Sequence, residues 1–99
     1  MIAYRFLEPA QEEMREAALF YNEKSVGLGV EFVNDVEQNI QRIRRHPLLG
    51  VEKEKNIRFK LLSRFPFTII YALELNTIII IAVAHHRRRP GYWKHRSDT

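Results

Sequence analysis

The chain has no cysteine. That excludes disulfides and thiolate metal sites, and it suits the cytoplasm, the expected location. Glycine and proline are scarce, four of each among 99 residues. No Pro/Gly/Ser-rich linker, low-complexity tract or internal repeat divides the sequence. A single domain over 1–99 is expected, one that buries roughly two-thirds of its unfolded surface and folds with little reserve. The opening residues, Met1 to Phe6, lack the basic and long apolar regions of a secretion signal. An unbroken apolar run of membrane length is missing too. Residues 65–84 come nearest, but Glu74, Asn76 and Thr77 interrupt them, and a mid-membrane charge costs about 3 kcal/mol. These three residues read as a turn, and no membrane partner is expected.

Acid is missing from one part of the chain. After Ala82 none appears until Asp98, while His85-His86-Arg87-Arg88-Arg89-Pro90-Gly91-Tyr92-Trp93-Lys94-His95-Arg96 supplies cations and aromatics. The net charge of +4 conceals a division. Residues 1–41 hold eight acids and three bases, and residues 42–99 hold four acids and thirteen bases. A short cationic segment, here the tail 85–99, cannot build a core and must face water or an anionic partner. The charge split therefore predicts an anion-facing surface on the basic half.

Hydrophobic spacing gives the elements. Ile2 to Leu7 reads as a strand that Glu8-Pro9 ends, with Pro9 suited to a helix's first turn. Ala10, Met14, Ala17, Ala18 and Tyr21 fall at helical spacing, which leaves Glu12, Glu13, Arg15 and Glu16 to face away. Ser25 to Gly29 breaks this helix. A second helix carries Val33, Val36, Ile40 and Ile43 at spacings of 3, 4 and 3, and stops at His46-Pro47. Three strands follow: Ile57–Leu62, alternating apolar with basic, then Phe67–Leu73 and Thr77–Ala84 as a hairpin. Ile78 to Ile81 is apolar on both faces and belongs inside the sheet. The expected fold is α+β in the order β-α-α-β-β-β. An N-terminal αα-hairpin packs on one face of a small, mainly antiparallel sheet, and the other face is left to Arg58, Lys60 and the tail.

Most familiar chemistry is excluded. Gly27-Leu28-Gly29 follows a helix and lacks the Lys-Ser/Thr of a phosphate loop, so it reads as a helix break. His85 and His86 are adjacent on a strand and point to opposite faces. Neither they nor His46 and His95 have metal-ligand spacing, so no metal and no cofactor is expected. The serines have no nucleophile-elbow motif around them. Glu12/Glu16 and Glu52/Glu54 read as solvated pairs. What remains is cationic: Arg58 and Lys60, of one strand parity, with Arg64, Arg87, Arg88 and Arg89 near them. Such a cluster suits phosphates, a phosphoryl transition state or an acidic protein segment.

Several blocks also carry a resemblance. They are Leu7-Glu8-Pro9-Ala10, Glu16-Ala17, Tyr21-Asn22-Glu23, Gly27-Leu28-Gly29, Phe32 with Val36-Glu37, and Ile43 with Pro47. Leu62-Ser63-Arg64-Phe65-Pro66-Phe67 follows, and then Ala82-Val83-Ala84-His85 through Arg88-Arg89-Pro90-Gly91-Tyr92-Trp93 to Arg96. In this order and spacing the chain resembles the ParE/RelE superfamily of bacterial toxins, in its ParE-like, plasmid-stabilisation branch, over nearly its whole length. The resemblance implies the toxin of a type II toxin–antitoxin system, held in a hetero-oligomer by a cognate antitoxin. One branch of the superfamily inhibits DNA gyrase and is not enzymatic. The alternative branch cleaves messenger RNA on the ribosome, as a metal-independent endoribonuclease using basic residues of the central strands and a Tyr or His near the C-terminus. Here its residues would be Arg58, Lys60, Arg64, His86 and Tyr92. Where that branch carries an early strand arginine, this chain has Phe67, which supplies no charge. That favours the gyrase reading, with Arg58, Lys60, Arg64, Arg87, Arg88, Tyr92 and Trp93 as the surface for target or antitoxin. Trp93 has a second reading, as a core residue folded back on the sheet.

Overall fold

A computed structural model describes residues 1–98. Its elements are β1 (Ala3–Phe6), α1 (Glu8–Lys24), α2 (Leu28–Arg45), β2 (Val51–Glu54), β3 (Ile57–Leu61), β4 (Phe67–Glu74) and β5 (Thr77–His85), then a 3-10 helix at Lys94–Asp98. The expected α+β class and helical hairpin are present, and the sheet has one strand more than the sequence predicted. Its order is β1-β5-β4-β3-β2. β1 runs parallel to β5, and the other pairs are antiparallel.

The helices form where their apolar residues repeat. Pro9 lies in the first turn of α1, where its missing N–H costs nothing. Ser25 caps the helix by donating its N–H to the Tyr21 carbonyl at 3.0 Å. Gly27, at φ +85°, makes the left-handed turn into α2. Gly29 then lets the helices touch. A Cβ there would lie 2.1 Å from the Ala18 carbonyl oxygen, and its N–H donates to Asn22 Oδ1 at 2.7 Å. Phe32, Val36, Ile40 and Ile43 line the buried side of α2. They meet Ile69 and Tyr71 of β4 and Ile78, Ile80 and Val83 of β5 in the main core, with Phe65 and Phe67 at one end.

β2 escaped the sequence reading because it carries no apolar alternation. Val51-Glu52-Lys53-Glu54 is exposed throughout and becomes a strand only by pairing Val51 with Phe59 and Glu52 with Arg58. A short, charged edge strand is poorly suited to pairing with other chains. The two-residue turns at Lys55-Asn56 and Leu75-Asn76 place Asn56, Leu75 and Asn76 at positive φ, which suits tight hairpins.

The second sheet face departs from expectation. Arg58 pairs with Tyr71 and Lys60 with Ile69. Directly paired residues share a face, and Tyr71 and Ile69 point into the helical core. Arg58 and Lys60 are thus on the helix side of the sheet, near its β2 edge, and not on the face opposite. That opposite face is apolar, with Ile57, Ile70, Ala72, Ile79, Ile81, Ala82, Ala84 and Trp93 in a second cluster. This second packed layer is why Ile78 to Ile81 is apolar on both sides, and why β5 is an inner strand.

A methyl group at position 29 must push the two helices apart. Gly29→Ala is expected to lower stability by about 2 kcal/mol, read as a lower urea midpoint at unchanged m-value. An unchanged midpoint would show that the helical hairpin adjusts freely.

Candidate functional site: the C-terminal strap on the open sheet face

The chain leaves β5 at His85 and turns back over the apolar face. His86 donates its N–H to the Pro66 carbonyl at 2.9 Å, and Arg88 donates to the His85 carbonyl at 3.0 Å. Gly91, at φ +77°, redirects the backbone. Trp93 then lands on the sheet, only 4% exposed, with its ring edge-on to Phe59 at 5.9 Å between centroids. Of the two readings of Trp93, the structure shows the packed one. Lys94 reaches Glu54 of β2 at 2.9 Å, which ties the strap to the far edge.

One carboxylate holds the other end. β1 pairs with β5 only as far as Leu7, whose N–H donates to the Ile80 carbonyl at 2.9 Å. Beyond that point β5 continues without a neighbour on this side, and a bulge at Ile81 shifts its register, since Tyr71 pairs with Ile80 and Ile70 with Ala82. Glu13 and Arg96 occupy the gap. Val83 donates its N–H to Glu13 Oε1 at 3.0 Å, and Arg96 Nη1 donates to the Ile81 carbonyl at 3.2 Å. Arg96 also grips Glu13 with both ends of its fork, at 2.9 and 3.1 Å. The side chains are only 11% and 12% exposed. Tyr92 donates its hydroxyl to Glu13 Oε2 at 2.6 Å. The Tyr92 ring meets the Arg88 guanidinium at 3.9 Å and that of Arg96 at 5.1 Å. Burial, then the bond to Glu13 and its negative charge, raise the Tyr92 pKa well above that of an ordinary phenol, against the smaller opposing effect of the two arginines.

Glu13 was expected to face away from the core, and it does not. Sequence offered a signal for this: Glu13 shares a stripe with the buried Ala10 and Ala17, at spacings of 3 and 4. Two small residues let α1 approach β5 closely, and the glutamate between them must enter the same interface.

The remaining candidates are spread out. Arg58 donates to the carbonyls of Leu48 at 3.2 Å and Gly50 at 2.8 Å, a structural use. Lys60 Nζ donates to the neighbouring Leu61 carbonyl at 3.0 Å. Arg64 pairs with Glu31 at 2.6 Å on an exposed surface. Arg58 lies past the end of α2 and Glu31 in its first turn, so some 20 Å of helix separates Arg58 from Arg64. His86 Nε2 lies 3.0 Å from Thr68 Oγ1. Thr68 pairs with Ala84 and Leu61, which puts this contact on the strap side of the sheet. Phe67 is buried against Phe32 and Tyr21. Burial first, and the charges of Arg87 and His86 next, lower the His85 pKa, and its Nδ1 accepts the Arg87 N–H at 3.0 Å.

Strap and sheet enclose a groove of about 490 Å³. Phe59, Leu61, Ile70, Ala84 and Trp93 give it apolar walls, and His86, Arg88 and Arg89 line its basic side. Among the described residues, no group of His, Asp or Glu side chains could hold a metal ion, and no helix is long and apolar enough to cross a membrane.

The β-α-α-β-β-β order that the resemblance implies is present, with β2 added at the sheet edge. Residues 4–90 match the family model described as the ParE toxin of type II toxin–antitoxin system, parDE, and the chain belongs to that family. A solved structure described as the chromosomal ParDE TA system from P. aeruginosa is similar in fold, with a TM-score of 0.74 at 15% identity over 86% of this chain and 96% of that one. Comparison with curated proteins gives no match. The family match stops at residue 90, so Tyr92, Trp93 and Arg96 lie beyond it and their roles are read from this chain alone.

Removing the indole should uncover Phe59 and the sheet beneath it. Trp93→Ala is expected to cost about 3 kcal/mol, seen as a clear drop in melting temperature. An unchanged melting temperature would show that the indole adds nothing to the core.

Proposed function

We propose that this ParE-family toxin acts by binding DNA gyrase through the strap and groove, and that a cognate antitoxin neutralises it. One observation carries the choice of target: the residues a ribonuclease would use are divided between the two sides of the sheet. Arg58 and Lys60 share a side with Tyr71 and Ile69, while His86 and Tyr92 line the groove on the other. A general acid or base must come within hydrogen-bond reach of the reacting atoms. One scissile phosphate cannot meet groups on both sides of a sheet. The Tyr92 hydroxyl already serves Glu13, and Phe67 offers an aromatic ring where the ribonuclease branch has charge.

A binding surface needs no such convergence. It needs exposed cations beside apolar anchors, and the groove has both. For the antitoxin, the hairpin exposes Leu19, Phe20, Val26 and Val30. An apolar segment with acidic ends would cover these residues and reach the basic half, as segments that fold on binding do.

Purified protein is expected to block supercoiling of relaxed plasmid by gyrase, and to lose that effect with equimolar antitoxin. His86→Ala trims one side of the groove and should weaken inhibition only severalfold, whereas loss of a general acid or base would cost about 100-fold or more. Ribosome-bound messages cut between codon positions, with supercoiling untouched and cleavage abolished in His86→Ala, would overturn the proposal in favour of the ribonuclease.

A further inference from the structure

Glu13 lies outside the groove, yet it meets two residues that line it, Tyr92 by a hydrogen bond and Arg88 at 3.9 Å. Its carboxylate accepts from Val83 of β5 and from Tyr92 and Arg96 of the strap, with Arg88 Nη1 at 3.9 Å. Arg87 and Arg89, on the same segment, are exposed. Among the described residues neither side chain has an ion-pair or hydrogen-bond partner. Cations without internal partners are available to an anionic surface, but they contribute to recognition only where their backbone is held. The segment is held by His86 on Pro66 and Thr68, by Trp93 on Phe59, by Lys94 on Glu54 and by the guanidinium–carboxylate fork at Glu13. The fork is the charged, largely buried and directional one, so it sets where the segment lies as well as whether it stays.

We infer that Glu13, on the first helix, is a positioning residue for the toxin's target-binding surface. It fixes the strap across the edge of β5 and thereby presents Arg87 and Arg89 beside the groove, without touching the target itself. The inference rests on the strap being the contact surface, as proposed above, but not on gyrase being the target.

Trp93 is the only tryptophan and reports the strap's position directly. In Glu13→Gln the carboxamide keeps the size of the carboxylate but turns an N–H₂ toward the Arg96 donors. Three readouts are taken on the full chain: acrylamide quenching of Trp93, far-ultraviolet circular dichroism, and growth arrest on induction in cells lacking antitoxin. Glu13→Gln is expected to raise quenching about threefold and weaken arrest about tenfold or more, with the dichroism spectrum retained. Arg87→Ala with Arg89→Ala should weaken arrest equally while Trp93 stays shielded. If Glu13→Gln fails to fold, Arg96→Lys keeps the charge, breaks the fork and is read the same way. A shielded Trp93 in the Glu13 or Arg96 variant, or an exposed Trp93 with full arrest, overturns the inference. Wild-type arrest with unimpaired supercoiling would instead remove the gyrase reading and leave Glu13's role standing. A wild type that arrests no growth would overturn the inference along with the surface it serves.

Discussion

The structure depends on a buried ion pair that completes the edge of a strand. β5 is longer than the β1 partner beside it, and a strand that outruns its neighbour has backbone groups to satisfy. Glu13 and Arg96 do so from two distant parts of the chain, accepting from the Val83 N–H and donating to the Ile81 carbonyl. In effect the pair stands in for the next residues of β1. Burying two charges is expensive, and the bidentate contact together with the backbone partners and the Tyr92 hydroxyl offsets that cost. Losing one partner would strand the other charge in a largely buried site. The pair therefore links the position of the strap to the integrity of the sheet.

This link decides where the charge of the basic half goes. With Arg58 donating to the carbonyls of Leu48 and Gly50, the sheet face beneath the strap is left to Ile57, Ile70, Ile79 and Ile81. An exposed apolar face of that size would invite association, and Trp93 covers part of it. The cations then lie around the uncovered remainder, which is the groove.

The sequence was most readable where periodicity was strong. Val36, Ile40 and Ile43 of the α2 stripe, the β4–β5 hairpin and the helix break at Gly27-Leu28-Gly29 follow from local spacing, whereas the stripe begins at buried Phe32 and not at the expected, half-buried Val33. Val51–Glu54 was not readable, because an exposed edge strand owes its existence to the ladder of its neighbour. Arg58 and Lys60 were correctly placed on one face together, but parity alone does not say which face meets the helices. Glu13 was misplaced because a charged residue on a helix is normally solvated. Its buried role depends on Tyr92 and Arg96, 79 and 83 residues away, and no local pattern carries a contact of that range.

The account's central claim is that Glu13 and Arg96 act as one unit, and a double-mutant cycle tests it most directly. Glu13→Gln, Arg96→Met and the double variant would be unfolded in urea beside the wild type, on the full chain. The account predicts a coupling energy of about 2 kcal/mol or more, with the double variant little worse than either single one. Additive losses, with coupling below about 0.5 kcal/mol, would contradict it and reduce the pair to two unrelated contacts.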